Sequence, residues 1–126
     1  MNSRQKGKVG EREFAALLRH HGFDARRGQQ FAGGADSPDV VSEELGWIHF
    51  EVKRCERIDL RSWIGQAAGD AGGKRWVLAL RWNHGPWLFL QGEEFFMEML
   101  RTLHQNRSTG EAGGSNSAEI NSGRVL

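Results

Sequence analysis

Three side chains that can do chemistry lie on two short apolar segments in the first half of the chain. Asp39 follows Pro38 at the start of one segment, and Glu51 and Lys53 lie near the end of the next. In an extended segment side chains alternate between two faces. We therefore expect His49, Glu51 and Lys53 to share one face, with the apolar residues between them pointing into the core.

A short turn separates these segments, and strands that follow each other in sequence usually lie side by side. We therefore expect Asp39 to lie next to Glu51. Two neighbouring carboxylates raise each other's pKa, and a divalent cation removes that conflict. Mg²⁺ accepts one or two carboxylates and completes its shell with waters and phosphate oxygens. With Lys53 beside it to orient a water, the group predicts metal-assisted hydrolysis of a phosphodiester.

The elements that must position these residues follow from periodicity and from turn signals. The pattern predicts helices at 8–21, 60–71 and 93–104, the second capped by Asp59, and strands at 23–31, 39–42, 47–54, 76–82 and 87–90. The order is helix, three strands, helix, two strands, helix. It predicts an α/β fold with a central mixed sheet flanked by helices. Residues 1–106 are predicted to be one domain, and residues 107–126 a disordered tail rich in Gly, Ser and Asn.

The composition limits the function classes. With 17 Lys and Arg against 16 Asp and Glu, the net charge is near zero, so any basic surface must come from an uneven distribution. The single cysteine, Cys55, excludes an internal disulfide and a cysteine-based zinc site, and it suits a reducing cytosol. We see no signal peptide and no run long enough to cross a membrane, so the prediction is a cytoplasmic protein.

The constellation resembles the PD-(D/E)XK nuclease superfamily. Pro38-Asp39 is similar to the first half of that motif, and Glu51-Val52-Lys53 to the second. The segment KGKVGEREF is similar to the N-terminal helix of the archaeal-type Holliday junction resolvases, and Glu11 matches a glutamate in it. The segments RHHGFDARR and GGADSPDVV, and Gln66 in the next helix, are similar to later parts of the same family. A restriction-endonuclease-like fold is implied.

The resemblance implies a Mg²⁺-dependent endonuclease, with Mn²⁺ able to substitute, that cuts four-way DNA junctions as a homodimer in DNA recombination and repair. It implies that Asp39, Glu51 and the Val52 carbonyl hold the metal and that Lys53 positions the attacking water. It also implies that Glu11 completes the site and that Gln66 supports a water or the phosphate. The residues that would contact the DNA backbone are Lys6, Lys8, Arg12, Arg26 and Arg27.

Other interpretations stay open. The glycine-rich loop has Ser37 as its only hydroxyl, close to Asp39, whereas the junction-resolving enzymes usually carry a catalytic serine there. A general or flap-type nuclease of phage or mobile-element origin is therefore an alternative. A catalytically silent DNA-binding module and a pure protein-interaction domain are others. Trp63 could stack on a base, although core packing is the simpler interpretation, and Trp47 is expected in the core.

Overall fold

The computed structural model describes residues 3–28 and 39–110. In these ranges the predicted order of elements is confirmed. The elements are α1 (Ser3–His20), β1 (Arg26–Arg27), β2 (Val40–Val41), β3 (Ile48–Arg54), α2 (Leu60–Asp70), β4 (Arg75–Arg81), β5 (Leu88–Gln91) and α3 (Glu93–Ser108). The predicted first strand is shorter than expected, and its last residues, 29–31, lie outside the described ranges.

The strands form two sheets. β1 pairs antiparallel with β2, and β3 pairs parallel with β4, which in turn pairs antiparallel with β5. The larger sheet is therefore mixed, as predicted. β2 was expected to lie beside β3, the strand that follows it. Instead it pairs with β1, and the turn at 43–47 leads from β2 into the other sheet.

The ladder shows which helix covers which face of the larger sheet. Phe50 is opposite Val77 and Glu51 is opposite Leu78, and ladder partners in a parallel pair point to the same face. α1 packs on the Phe50 face, where the Phe14 and Phe50 ring centroids are 5.2 Å apart. α2 packs on the other face, through a buried cluster of Trp63 with Leu78 and Leu80. The two helices therefore lie on opposite faces of the sheet.

α1 comes very close to β3 at Gly10. A Cβ at this position would lie 2.9 Å from Cβ of Arg54 and 3.6 Å from Cγ1 of Val52. The absence of a side chain brings the helix backbone down onto the strand, and Glu11 follows directly in sequence. α1 also begins at Ser3, earlier than predicted, because its first residues favour a helix but carry no apolar period.

Asp59 caps α2 as predicted, since its side chain accepts a hydrogen bond from the Ser62 amide at 3.4 Å. Trp63 is only 9% exposed and belongs to the core. The prediction of a core role for Trp47 was wrong: its side chain is 55% exposed, because the turn continues through it and β3 begins at Ile48.

α3 belongs to a second compact unit, Glu93–Leu126, whereas the elements before it belong to the first, Met1–Gly92. The helix carries Glu93 and Glu94 in its first turn, where the helix dipole favours negative charge. It ends at Ser108, so the predicted boundary at residue 106 falls inside it. Residues 111–126 of the predicted tail lie outside the described ranges. No helix in the described part of the chain is long and apolar enough to cross a membrane.

The contact at Gly10 gives a testable prediction within one helix. Gly7→Ala should raise the free energy of unfolding by about 0.5–1 kcal/mol, because a Cβ there meets nothing within 4 Å and alanine favours helix. Gly10→Ala should lower it, because the new Cβ would displace Arg54 or the helix. Urea unfolding of both variants measures the difference. Equal stabilisation by the two substitutions would contradict the close packing of α1 on β3.

Candidate active site

Asp39 connects the two sheets through its side chain. It lies directly before β2 and is 8% exposed, and its backbone carbonyl accepts a hydrogen bond from the Gly28 amide at 2.8 Å. Its Oδ2 accepts a hydrogen bond from the backbone N–H of Val52 in β3, also at 2.8 Å. The two halves of the sequence motif therefore meet, although their strands do not share a ladder.

Glu51 lies at the centre of a row of polar side chains on the α2 face of β3. Its side chain is 5% exposed, with Oε1 at 3.2 Å from His49 Nε2 and Oε2 at 3.9 Å from Lys53 Nζ. Lys53 Nζ also donates a hydrogen bond to Gln66 Oε1 in α2 at 2.8 Å. The expected alternation along β3 is confirmed, and Gln66 is brought to the same row.

Glu11 approaches the same carboxylates from α1. Its Oε1 accepts a hydrogen bond from Arg27 Nε at 2.8 Å. Burial raises the pKa of Glu11, the Arg27 guanidinium opposes that rise, and the negative charge of Glu51 adds to it. The helix, β1 and β3 therefore contribute charged groups to one electrostatic cluster.

The pKa of Asp39 is strongly raised. Burial and, second, the negative charge of Glu51 together raise the pKa of Asp39 to about 7. The Val52 N–H bond and the Lys53 ammonium lower it, and Glu11 raises it. Three acidic groups thus share a small, poorly solvated region with one nearby lysine. Their mutual repulsion is the physical condition that a bound cation relieves.

The donor atoms fit a hard divalent cation. Asp39 and Glu51 offer carboxylate oxygens, which Mg²⁺ prefers, and Mg²⁺ needs only one or two carboxylates when waters and phosphate oxygens complete its shell. Within residues 3–28 and 39–110 no three or more His, Cys, Asp or Glu side chains form a ready-made metal cage. The arrangement therefore suits a cation shared with a substrate better than a closed structural site.

The predicted DNA-contacting residues separate into two groups. Lys8, Arg12 and Arg26 are exposed and Lys6 is partly exposed, so their charges face solvent. The Arg27 side chain is 30% exposed and its guanidinium is paired with Glu11. This agrees with the alternation along β1, which allows only one of the two neighbouring arginines to point to a given side.

One group of site-supporting residues was not predicted. Glu13 Oε1 accepts hydrogen bonds from Arg54 Nε at 2.9 Å and from Arg81 Nη1 at 3.4 Å. These contacts tie α1 to β3 and β4 and so fix the helix that carries Glu11. The spacing of two between Glu11 and Glu13 indicates only that they face different directions. Nothing in the local sequence points to partners so far along the chain.

Residues 2–110 match the model of a family described as archaeal Holliday junction resolvase (Hjc). The chain belongs to this family. A solved structure of Hjc, a Holliday junction resolvase of the archaeal hyperthermophile Archaeoglobus fulgidus, is 26% identical, over 68% of this chain and 72% of that one, with a TM-score of 0.49. The comparison with curated proteins gives no match.

Family membership confirms the resemblance drawn from the motif and the restriction-endonuclease-like fold. Members of the family are metal-dependent endonucleases that act on Holliday junctions, and the chain is an endonuclease of this kind.

The raised pKa of Asp39 gives a prediction of stability against pH. A carboxyl group with a pKa of about 7 when folded and an ordinary value near 3.8 when unfolded stabilises the fold fully below about pH 4. That contribution is lost as the pH rises through about 7. In EDTA, the free energy of unfolding of the wild type should therefore fall between pH 5 and pH 8.

Asp39→Asn should remove most of this slope, because the amide does not titrate, while Asp70→Asn should leave it unchanged. Urea unfolding at four pH values measures all three proteins. A wild-type slope that survives in Asp39→Asn would assign the pH dependence to another group.

Proposed function

We propose that the chain cuts Holliday junctions by Mg²⁺-dependent hydrolysis of phosphodiester bonds, with Asp39, Glu51 and the Val52 carbonyl as metal ligands and with Mn²⁺ as a substitute. The observation that supports this most directly is the hydrogen bond from the Val52 N–H to Asp39 Oδ2. It places the first carboxylate beside the strand that carries the second carboxylate and the lysine.

The Val52 carbonyl is included for a geometric reason. In an extended strand the N–H and C=O of one residue point to the same side. Since the Val52 N–H points to Asp39, its carbonyl faces the same side of β3. A backbone oxygen and two carboxylates then approach one region from different directions, as a hard cation requires.

Lys53 is proposed to orient the attacking water or a phosphate oxygen. When bound, the metal ion would polarise the phosphate and lower the pKa of a bound water. Lys53 Nζ is held by Gln66 Oε1 at 2.8 Å and lies 3.9 Å from Glu51 Oε2. An ammonium has three hydrogens to donate, so one beyond these two contacts can reach substrate. Gln66 acts mainly on Lys53, and its amide nitrogen can still donate to phosphate.

Glu11 is proposed to complete the acidic site from α1, with Arg27 holding its carboxylate in place. Lys6, Lys8, Arg12 and Arg26 are proposed to contact DNA phosphates, since their charges face solvent. Arg27 then contributes to DNA binding less directly than the others, because its guanidinium donates to Glu11 at 2.8 Å.

A homodimer is proposed because a four-way junction requires two symmetric strands to be cut, which two copies related by a two-fold axis can do. Two surfaces offer apolar area for such contacts. In β5, Leu88 is 44% and Phe89 is 51% exposed, and β5 lies at the end of its sheet. In α3, five apolar side chains are 40–56% exposed: Phe96, Met97, Met99, Leu100 and Leu103.

The cellular location is proposed to be the cytoplasm. Cys55 is a partly exposed free thiol, and free thiols persist in reducing compartments. DNA junctions are also the substrate class of the family.

The first experiment compares cleavage of a labelled four-way junction, a matched duplex and a single strand, with Mg²⁺ or EDTA. Asp39→Asn should reduce the rate of junction cleavage by at least about 100-fold, because it removes a charged ligand from the region where charge develops. Its amide oxygen can still accept the Val52 N–H, so junction binding in EDTA should be retained. Unchanged cleavage by this variant, or cleavage in EDTA, would refute the proposed metal site.

The substrate panel distinguishes the alternative functions. Equal cutting of the duplex would support the general nuclease. Junction binding with no cutting under any metal would support the silent module. Paired nicks restricted to the junction would support the proposed resolvase.

Gln66 allows a second test of the site. Gln66→Ala should lower the rate of junction cleavage about 10–100-fold at saturating Mg²⁺, because Lys53 loses the acceptor that orients it. Gln105→Ala, an exposed glutamine in α3, is the matched control and should cut normally. Single-turnover cleavage measures both. If Gln66→Ala also cuts normally, Lys53 is positioned by other contacts.

A further inference from the structure

His49 is a buried polar residue at the centre of the site to which the proposed mechanism gives no role. Its side chain is 5% exposed, and its ring nitrogen Nε2 lies 3.2 Å from Oε1 of the equally buried Glu51. Burying a polar ring is costly unless it is hydrogen-bonded. Among the described residues that are not exposed, no buried side-chain nitrogen or oxygen lacks a partner. The contact between His49 and Glu51 is therefore part of how this region is satisfied.

The contact distinguishes the two oxygens of Glu51. An ionised carboxylate only accepts hydrogen bonds, so an attractive contact requires the hydrogen of the His49 ring on Nε2. Oε1 is then held on the His49 side, and Oε2 is the oxygen that lies 3.9 Å from Lys53 Nζ. His49 precedes and Lys53 follows Glu51 on the same face of β3. Their contacts with the two carboxylate oxygens therefore restrict rotation of the carboxylate.

A cavity of about 380 Å³ lies beside His49. Its lining comes from β2 and the turn after it, from the start of β3, and from the end of α2 with the residues that follow. These residues include Ser42, Leu45, Ile48, Asp70 and Lys74. His49 also lines it. The imidazole ring lines this cavity and contacts the Glu51 carboxylate, so a smaller side chain would extend the cavity toward Glu51.

We propose that His49 is a positioning residue for the metal site: its Nε2–H holds Glu51 Oε1 so that Oε2 alone is presented to the cation, and its ring closes the cavity off from that carboxylate. This inference rests on the proposed role of Glu51 as a metal ligand. A residue that orients a ligand in this way typically changes metal affinity or activity by 10- to 100-fold when it is removed.

The alternative is that His49 only fills space. Its ladder partner is Trp76, which packs against the apolar cluster on the same face. An aromatic ring without nitrogen would serve that purpose equally well. His49→Phe therefore keeps a ring and removes the hydrogen bond, whereas His49→Gln keeps a donor and changes the shape.

The main test measures Mn²⁺ binding to the full-length protein by calorimetry, without DNA, together with junction affinity in EDTA. His49→Phe should weaken Mn²⁺ binding about 10–100-fold, while junction affinity stays within about twofold. His49→Gln should lie closer to the wild type. His21→Phe, at an exposed histidine after α1, is the matched control and should bind Mn²⁺ normally. Normal Mn²⁺ affinity in His49→Phe would overturn the proposal and leave His49 a packing residue.

The cavity provides a second test. His49→Ala should lose Mn²⁺ affinity and regain part of it when millimolar imidazole is added, because the cavity gives the free ring a route to Glu51. Imidazole should not restore Asp39→Asn, which lacks a ligand and keeps His49. No recovery in a folded His49→Ala protein would contradict the view that the ring separates the cavity from Glu51.

A measurement on the unmodified protein does not depend on any variant folding. Nitrogen NMR of the histidine side chains should show His49 with its hydrogen on Nε2, and finding it on Nδ1 alone would overturn the proposal. Failure of the underlying function is recognisable separately. If the wild type binds no Mn²⁺ and its junction cleavage is insensitive to EDTA, the metal site itself is wrong, whatever the state of His49.

Discussion

The hydrogen bond between the Val52 amide and Asp39 Oδ2 is the contact on which the site depends. β2 forms its ladder with β1, so no backbone pairing brings Asp39 to β3. The side chain of Asp39 makes the connection instead, at 2.8 Å, by accepting an N–H that the ladder with β4 leaves on the other side of β3. A buried backbone donor needs a partner, and here that partner is the carboxylate that we propose as a metal ligand.

This arrangement has an electrostatic cost, which the surrounding residues limit. Glu11, Asp39 and Glu51 repel one another, and burial together with the charge of Glu51 raises the pKa of Asp39 to about 7. Arg27 offsets the charge of Glu11, and Lys53 lies beside Glu51. The fold therefore holds these carboxylates close together in a poorly solvated region, and a strongly raised pKa of this kind is common at functional sites.

The sequence predicted the parts of the site that depend on local patterns. The alternation of WIHFEVK placed Glu51 and Lys53 on one face, and Asp59 marked the start of α2, because such signals need only neighbouring residues. The pairing of β2 with β1 and the contacts of Arg27 with Glu11 depend on the path of the chain in space. The same holds for Glu13, whose partners Arg54 and Arg81 are far away in sequence. Gln66 was found because of the family resemblance, and its bond to Lys53 supplies the physical reason.

The catalytic residues act on a phosphodiester, which is chemically the same in a duplex and in a junction. Preference for the junction must therefore come from binding that is stronger when the DNA is branched. If the exposed basic residues of α1 contact phosphates as proposed, they read no bases and respond only to where phosphates lie. One copy of the site holds one scissile strand. If two copies associate as proposed, the distance between their two active sites determines which DNA shapes can occupy both sites at once. The exposed apolar side chains of β5 and α3, if they form the contacts between the copies, would then set specificity by fixing that distance.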